Sequence, residues 1–294
     1  MNLSLKRPSP VGFLFIAIFS IQFGSALAKS LFDDIGPWGV VGLRVSFSAL
    51  FLFAIWRPKF HSKVKEHIGL IVLFGVVMAT MNSAFYAAID RIPLGIAISI
   101  EFTGPLGLSI LKSQHWRDGL WAALAIAGIL LLTPISGASL DIWGMLLALF
   151  AGLCWAMYIV LAAKLGPALP GVEGLAWGLV VGTILLLPIG IATAGSALLS
   201  PRILLLSAGV GLLSTALPYA CEIVALRSLP VKVFGVMLSM EPMVGVLAGF
   251  LILGEKLSVR SLIACVLVSI AAAGAARYGI SQESNHTPPP PPAA

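Results

Sequence analysis

Two glutamates occupy positions where a carboxylate is hard to keep. Glu101 interrupts the apolar run SIEFTGPLG (99–107) and Glu241 interrupts SMEPMVGVL (239–247), each close before a proline. A third acid, Glu222, and one base, Arg44, lie in similarly apolar surroundings. Carboxylates so placed suit an ammonium group or a proton. Proline removes its own amide donor and crowds the carbonyl four residues back. Pro105 is therefore expected to loosen the turn at Glu101, and Pro242 the turn at Leu238, making hinges with free acceptors beside each acid. A structural alternative exists for each: Glu241 caps a helix or pairs with a base, and Glu222, five residues before Arg227, is solvated at an interface. Arg44 either pairs with one of these acids or receives a substrate carboxylate through its two-pronged guanidinium. Gln22, Asn82, Tyr86, Trp155 and Tyr158 could add hydrogen bonds and aromatic walls for a small solute, or serve as ordinary helix contacts.

The elements that must position these residues follow from composition. Of 294 residues, 59% are hydrophobic and 10% charged, and the mean hydropathy is +1.03. That is more apolar surface than a soluble domain of this length can bury. Lipid is the solvent. A helix crossing a core about 30 Å thick needs roughly 20 apolar residues, and ten such stretches are legible: about 11–31, 37–56, 67–90, 93–112, 118–135, 141–164, 173–195, 201–227, 230–253 and 258–279. In that setting an ionised group at mid-membrane costs on the order of 2.5 to 3.5 kcal/mol, so Glu101, Glu222, Glu241 and Arg44 must face a cavity or a partner. The net charge of +6 reflects orientation rather than a nucleic-acid partner. With the N-terminus inside, twelve Lys and Arg fall on the cytoplasmic side, the strongest cluster being Arg57, Lys59, Lys63 and Lys65, against Lys29, Arg91, Arg202, Lys256 and Arg260 outside. Both termini are then cytoplasmic.

An internal repeat organises the spans. A shift of 137 residues lays Ala88, Pro93 and Pro105 over Ala225, Pro230 and Pro242; a shift of 140 lays Ser99 and Glu101 over Ser239 and Glu241. At 135, Ala28-Lys29 meets Ala163-Lys164. Two halves of five spans, residues 8–138 and 139–280, are expected, followed by a disordered cytoplasmic tail, 281–294. Five is odd, so the second half enters the membrane upside down, as in secondary transporters that bind their substrate at mid-membrane between the halves. The echo of Ala28-Lys29 also marks the first span as structural, although Lys6, Arg7 and Ala26-x-Ala28 imitate a cleavable signal. Gly174, Gly178 and Gly182, and Gly245 with Gly249, form small-residue faces for helix packing.

Soluble enzyme chemistry has no foothold here. The chain lacks a phosphate-binding loop, a nucleophile elbow, an HExxH pair and a dinucleotide fingerprint. Cys154, Cys221 and Cys265 show no metal-ligand spacing, so no metal and no cofactor is expected. What remains is a secondary transporter, a monomer or weak oligomer in lipid, with proton coupling through a glutamate as one drive and downhill flow as the other.

The segments SIQFGSALAKSLF (20–32), PLGIAISIEFTGPL (93–106), GLCWAMYIV (152–160) and STALPYACEIVALRSLPVKVFGVMLSMEP (214–242) resemble the EamA branch of the drug/metabolite transporter superfamily, most closely its threonine and homoserine exporters. The resemblance implies an all-helical membrane protein with ten helices in two inverted five-helix repeats around a central cavity, both termini cytoplasmic, exporting amino acids or related metabolites across a bacterial inner membrane. Drugs, nucleosides or aromatic metabolites are the alternative cargo, and a membrane scaffold without cargo is the alternative class. One departure stands out. The family's GE-x-L is present as Gly254-Glu255-Lys256-Leu257 but missing from the first half, where Lys112–Trp116 is shorter; Glu255 is read as a loop or helix-cap acid.

Overall fold

The computed structural model describes residues 10–111, 116–132, 141–169, 171–226 and 236–279. Within them the chain is helical. Helix α1 (Pro10–Lys29) turns at Ser30 and Leu31 into α2 (Phe32–Trp56), followed by the short α3 (Ser62–Glu66) and α4 (Ile68–Arg91). Then come α5 (Leu94–Glu101), α6 (Thr103–Leu111), α7 (Trp116–Leu132), α8 (Ile142–Leu165) and α9 (Glu173–Ala194). Next, α10 (Pro201–Gly211) runs through a π-helical turn (Leu212–Ala216) into α11 (Leu217–Leu226); α12 (Glu241–Leu253) and α13 (Val259–Gly279) complete the body. Among the described residues seven helical stretches are long and apolar enough to cross a membrane, and Leu94–Leu108, Gly119–Leu131 and Val259–Gly274 are shorter apolar helices. Leu50, Leu130, Trp143, Ile184, Leu205 and Phe250 are among many large apolar side chains left on the outer surface, which water would penalise and lipid does not. The expected tail and the basic residues Lys112, Arg227 and Lys232 lie outside the described residues.

Local chemistry explains where the helices depart from the expected spans. The second begins earlier than residue 37, because Gly36 at φ 66° admits a left-handed kink before Pro37 and lets a preceding turn dock. The span expected over 93–112 is broken at Phe102. Thr103 Oγ1 donates to the Ile100 carbonyl at 2.6 Å across that break, and Pro105 falls in the first turn of α6, where a missing amide costs little. Pro242 likewise stands in the first turn of α12, behind a turn at Ser239 and Met240. Each proline thus follows a break instead of kinking a continuous helix.

Pairs of charges fasten the helix ends. Lys29 at the end of α1 meets Glu255 beyond α12 at 2.7 Å; Arg91 at the end of α4 meets Asp141, which caps α8, at 2.8 Å; Arg202 at the start of α10 meets Asp34 at the start of α2 at 3.5 Å. The hydrogen bond from Arg91, with that from the Trp143 amide, holds the Asp141 carboxyl below the usual range. His61 and Glu173 meet at 3.1 Å at the opposite end of the bundle. Helix ends of opposite sense therefore share each face, and successive long helices alternate in direction.

Extensive packing joins α2 to α9, α4 to α8, α7 to α13, α5 to α12, and α1 to α11 and α12. Glycine sets the closest of these approaches. A Cβ on Gly152 of α8 would sit 2.5 Å from the carbonyl oxygen of Glu101, and one on Gly104 would collide with the Gly152 backbone. The expected glycine faces also pack: Gly178 lies against Phe74, Gly182 against Val45 and Gly245 against Ile98. Gly152→Ala is expected to lower the thermal unfolding midpoint in detergent by the equivalent of about 1–3 kcal/mol through overpacking. Gly209→Ala, at a helical site open for at least 4 Å, should leave the midpoint unchanged or raised; the same response from both variants would refute the interlock.

Candidate functional site

The break at Phe102, the turn before Glu241 and the π-helical turn all open onto one cavity of about 460 Å³. Arg44 reaches it from the middle of α2. Its Nε donates to Ser214 Oγ at 2.9 Å, its Nη1 to Asn82 Oδ1, and its Nη2 to the Ser214 carbonyl and Thr215 Oγ1, both at 3.4 Å. The π-helical turn makes this possible by presenting Ser214 and Thr215 together. Gly24 of α1 gives the turn room, since a Cβ there would be 2.9 Å from the Ser214 nitrogen. Gly211 does the same against α2, and Ser48 Oγ donates to the Gly211 carbonyl at 3.2 Å. Ser20 Oγ donates to the Leu213 carbonyl at 2.5 Å, tying α1 to the same turn.

Acids face the same space. Glu101 ends α5, Glu241 begins α12 and Glu222 lies on α11; all three line the cavity with Arg44. Glu241 accepts from Gln22 Nε2 at 3.3 Å, while Gln22 Oε1 is buried without a partner. Among the described residues, none of these three carboxylates is within ion-pair distance of a base, and Arg44 is within that distance of no carboxylate. The ion pair that the sequence offered Arg44 is therefore not formed among the described residues: neutral oxygens satisfy its donors, and its positive charge is left facing the cavity. Because α5 carries Glu101 on its last residue, the negative end of that helix dipole adds no stabilisation to an ionised carboxylate.

The cavity also takes in Gln22, Asn82, Pro105, Trp155 and Tyr158. Trp155 packs edge-on against Phe102 at 5.3 Å between ring centroids, and Tyr158 stacks on Phe74 at 5.0 Å. Tyr86 stands behind the wall instead: it is 1% exposed, and the Arg44 guanidinium lies 5.3 Å from its ring centre, a cation–π support that holds the cation aimed forward. Pro242 is buried outside the lining. Glu222, for which the sequence left open a cavity, a partner or a solvated interface, faces the cavity. Among lining residues that sequence reasoning did not single out, Ser214 and Thr215 hold Arg44, and the Tyr219 hydroxyl meets that of Tyr158 at 3.2 Å. Their adjacency within STALPYACE was the available signal, but nothing in spacing alone predicts a π-helical turn.

A model of the EamA-like transporter family matches residues 142–277. The threonine/homoserine exporter RhtA of Salmonella typhimurium (strain LT2) is 40% identical over 263 residues, 88% of this chain and 89% of that protein. The chain belongs to the EamA-like transporter family. RhtA of Escherichia coli (strain K12) is 39% identical over 267 residues, 90% of either chain, and the uncharacterized transporter YwfM of Bacillus subtilis (strain 168) is 28% identical over 242 residues. A crystal structure sharing 18% identity superposes with a TM-score of 0.63 over 92% of this chain and 98% of that one, which shows a common fold. The residues gathered here are thus those of an EamA-like multi-pass membrane transporter, and the resemblance drawn from SIEFTGPLG and STALPY…SMEP holds at the level of the family.

The bonding pattern separates structural from available charge. Arg44→Leu leaves Ser214, Thr215 and Asn82 without their shared donor, and the thermal midpoint in detergent is expected to drop by the equivalent of roughly 1–3 kcal/mol. Glu101→Gln removes a carboxylate that pairs with no base among the described residues, so its midpoint should stay level or rise. A Glu101→Gln protein destabilised as much as Arg44→Leu would show that the acid is part of the scaffold.

Proposed function

We propose that this transporter exports small neutral amino acids of the threonine and homoserine kind across the bacterial cytoplasmic membrane by alternating access. One observation carries the reading: among the described residues, a single cavity holds a guanidinium with no acid and three carboxylates with no base within ion-pair distance. That arrangement is the electrostatic complement of a zwitterion. The substrate carboxylate meets Arg44, and its ammonium meets Glu101 or Glu241, with Gln22 Oε1 as a neutral acceptor. Asn82, Trp155 and Tyr158 bound the remainder of the solute. The names of the RhtA relatives support the same class of cargo. An apolar drug would leave four ionisable groups uncompensated in the cavity, so the charge pattern favours the amino acid.

The architecture in this reading is ten spans in two inverted halves, 8–138 and 139–280, with both termini cytoplasmic. Packing supports it through its symmetry. Number the spans so that α5 with α6 is the fourth and α10 with α11 the eighth; adding five to a first-half span, or subtracting five from a second-half one, converts contacts into contacts. Packing of α1 on α11 becomes that of α8 on α4, and packing of α8 on α5 and α6 becomes that of α12 on α1. The α2–α9, α5–α12 and α7–α13 pairs map onto themselves. This is the pattern of a two-fold axis relating the halves. Pro105 and Pro242 then sit at equivalent breaks, where the helices can hinge. Protonation of one carboxylate would couple export to a proton gradient, and a downhill cycle uses the same groups.

In proteoliposomes the protein should give saturable flux of radiolabelled threonine. Arg44→Gln should weaken its binding roughly 10- to 100-fold, the worth of a hydrogen-bonded charge, measured as threonine-dependent thermal stabilisation. No saturable flux of threonine, methionine or phenylalanine would sink the proposal.

A further inference from the structure

A charge cluster outside the cavity lining ties together helices that line it. Lys29, in the last turn of α1, donates to Glu255 Oε1 at 2.7 Å and to the Ile92 carbonyl at 3.1 Å. The second oxygen, Glu255 Oε2, accepts the Leu94 amide at 2.9 Å and so caps the start of α5. Gly249 makes room for it: a Cβ there would be 2.5 Å from Glu255 Oε2. Both side chains are mostly shielded, at 19% and 14% exposure, unlike the Arg91–Asp141 and Arg202–Asp34 pairs at 48% and 32%, and 72% and 38%. A shielded pair of this kind keeps more of its strength than an exposed one.

The cluster and the site are the two ends of the same rods. Helix α5 has 8 residues, about 12 Å, with its capped Leu94 at the cluster and Glu101 at the cavity. Helix α12 has 13 residues, about 20 Å, with Glu241 at the cavity and Glu255 two residues past its other end. These helices lock together through Gly95 against Val246 and Gly245 against Ile98, so they move as a pair. Lys29 supplies the charged tie from α1 to the cluster, beside the packing of α1 on α12. On α1 the cavity lining reaches Ser25, four residues before Lys29, and on α8 it reaches Ala162, three residues before Leu165 at the opposite face. The internal repeat supplies Lys164 as the counterpart of Lys29, but Gly254-Glu255-Lys256-Leu257 has no counterpart in the first-half sequence, and Lys164 is exposed.

We propose that Lys29 is a positioning residue for transport: it pins the α5–α12 pair to α1, closing the cavity at the Lys29 face and setting the spacing of Glu101 and Glu241 from Gln22. Substrate release on that face requires the Lys29–Glu255 contact to break. This rests on the alternating-access reading above.

The test needs no substrate. In a protein with Cys154, Cys221 and Cys265 replaced by alanine, Ser25→Cys and, separately, Ala162→Cys report the two ends of the cavity to a charged, membrane-impermeant maleimide applied from each side of the membrane. Lys29→Gln and Glu255→Gln should speed labelling of Ser25→Cys from the Lys29 face by about ten-fold, a shift of about 1.4 kcal/mol, and slow labelling of Ala162→Cys from the other; Lys29→Arg should restore the original rates. Unchanged rates in both variants, or equal acceleration from both faces, would overturn the latch. Glu255→Gln keeps an acceptor for the Leu94 amide, so it carries the test if Lys29→Gln fails to fold. Absent threonine flux in the unsubstituted protein would defeat the exporter reading while leaving these labelling rates to judge the latch.

Discussion

Everything in this protein answers to the cost of charge in a medium that cannot solvate it. A guanidinium in hydrocarbon must be surrounded by oxygens or by water, and Arg44 is surrounded by oxygens that carry no charge of their own. Serine, threonine and asparagine satisfy its donors without cancelling its field, and Tyr86 backs it with the negative face of a ring. Had a glutamate taken their place, the pair would be neutral and the cavity would lose its call on an anion. The same logic keeps Glu101, Glu222 and Glu241 on the cavity surface, where no base among the described residues comes within ion-pair distance of them.

Close backbone approach delivers those side chains. In lipid, helices gain little from burying apolar surface against one another, so contact depends on shape. Gly152 lets α8 meet the broken α5–α6 span at Glu101, while Gly24 and Gly211 let α1 and α2 close on the π-helical turn. Glu101 and the Arg44-holding pair Ser214 and Thr215 thus each lie next to a glycine contact and an irregular turn. Irregular backbone is tolerated at membrane depth only where it lines a cavity or is buried in protein, and these turns meet that condition: Ser214 and Thr215 are buried and their side chains hold Arg44.

Much of the fold could be read from residue order. The apolar runs and the repeat linking Ser99-x-Glu101 to Ser239-x-Glu241 needed only hydropathy and spacing, because a helix in lipid must be about as long as the bilayer is thick. Eight of the ten residues singled out as site or hinge positions line the cavity, since a polar group in an apolar run has few places to go. Tyr86 and Pro242 do not. A tyrosine in a span points toward or away from a cavity according to a helix rotation of tens of degrees, which composition does not encode.

By itself the sequence determined that this chain lives in lipid and that its buried acids need a hydrated hollow or a partner; local composition and the thickness of the membrane suffice for that. Only the tertiary structure decided which partner each group has. Arg44 and Ser214 are 170 positions apart, and Lys29 and Glu255 are 226 apart. Their meeting depends on how glycine-lined helices cross and where a helix widens by one residue, and those are properties of three-dimensional packing that no single stretch of the chain contains.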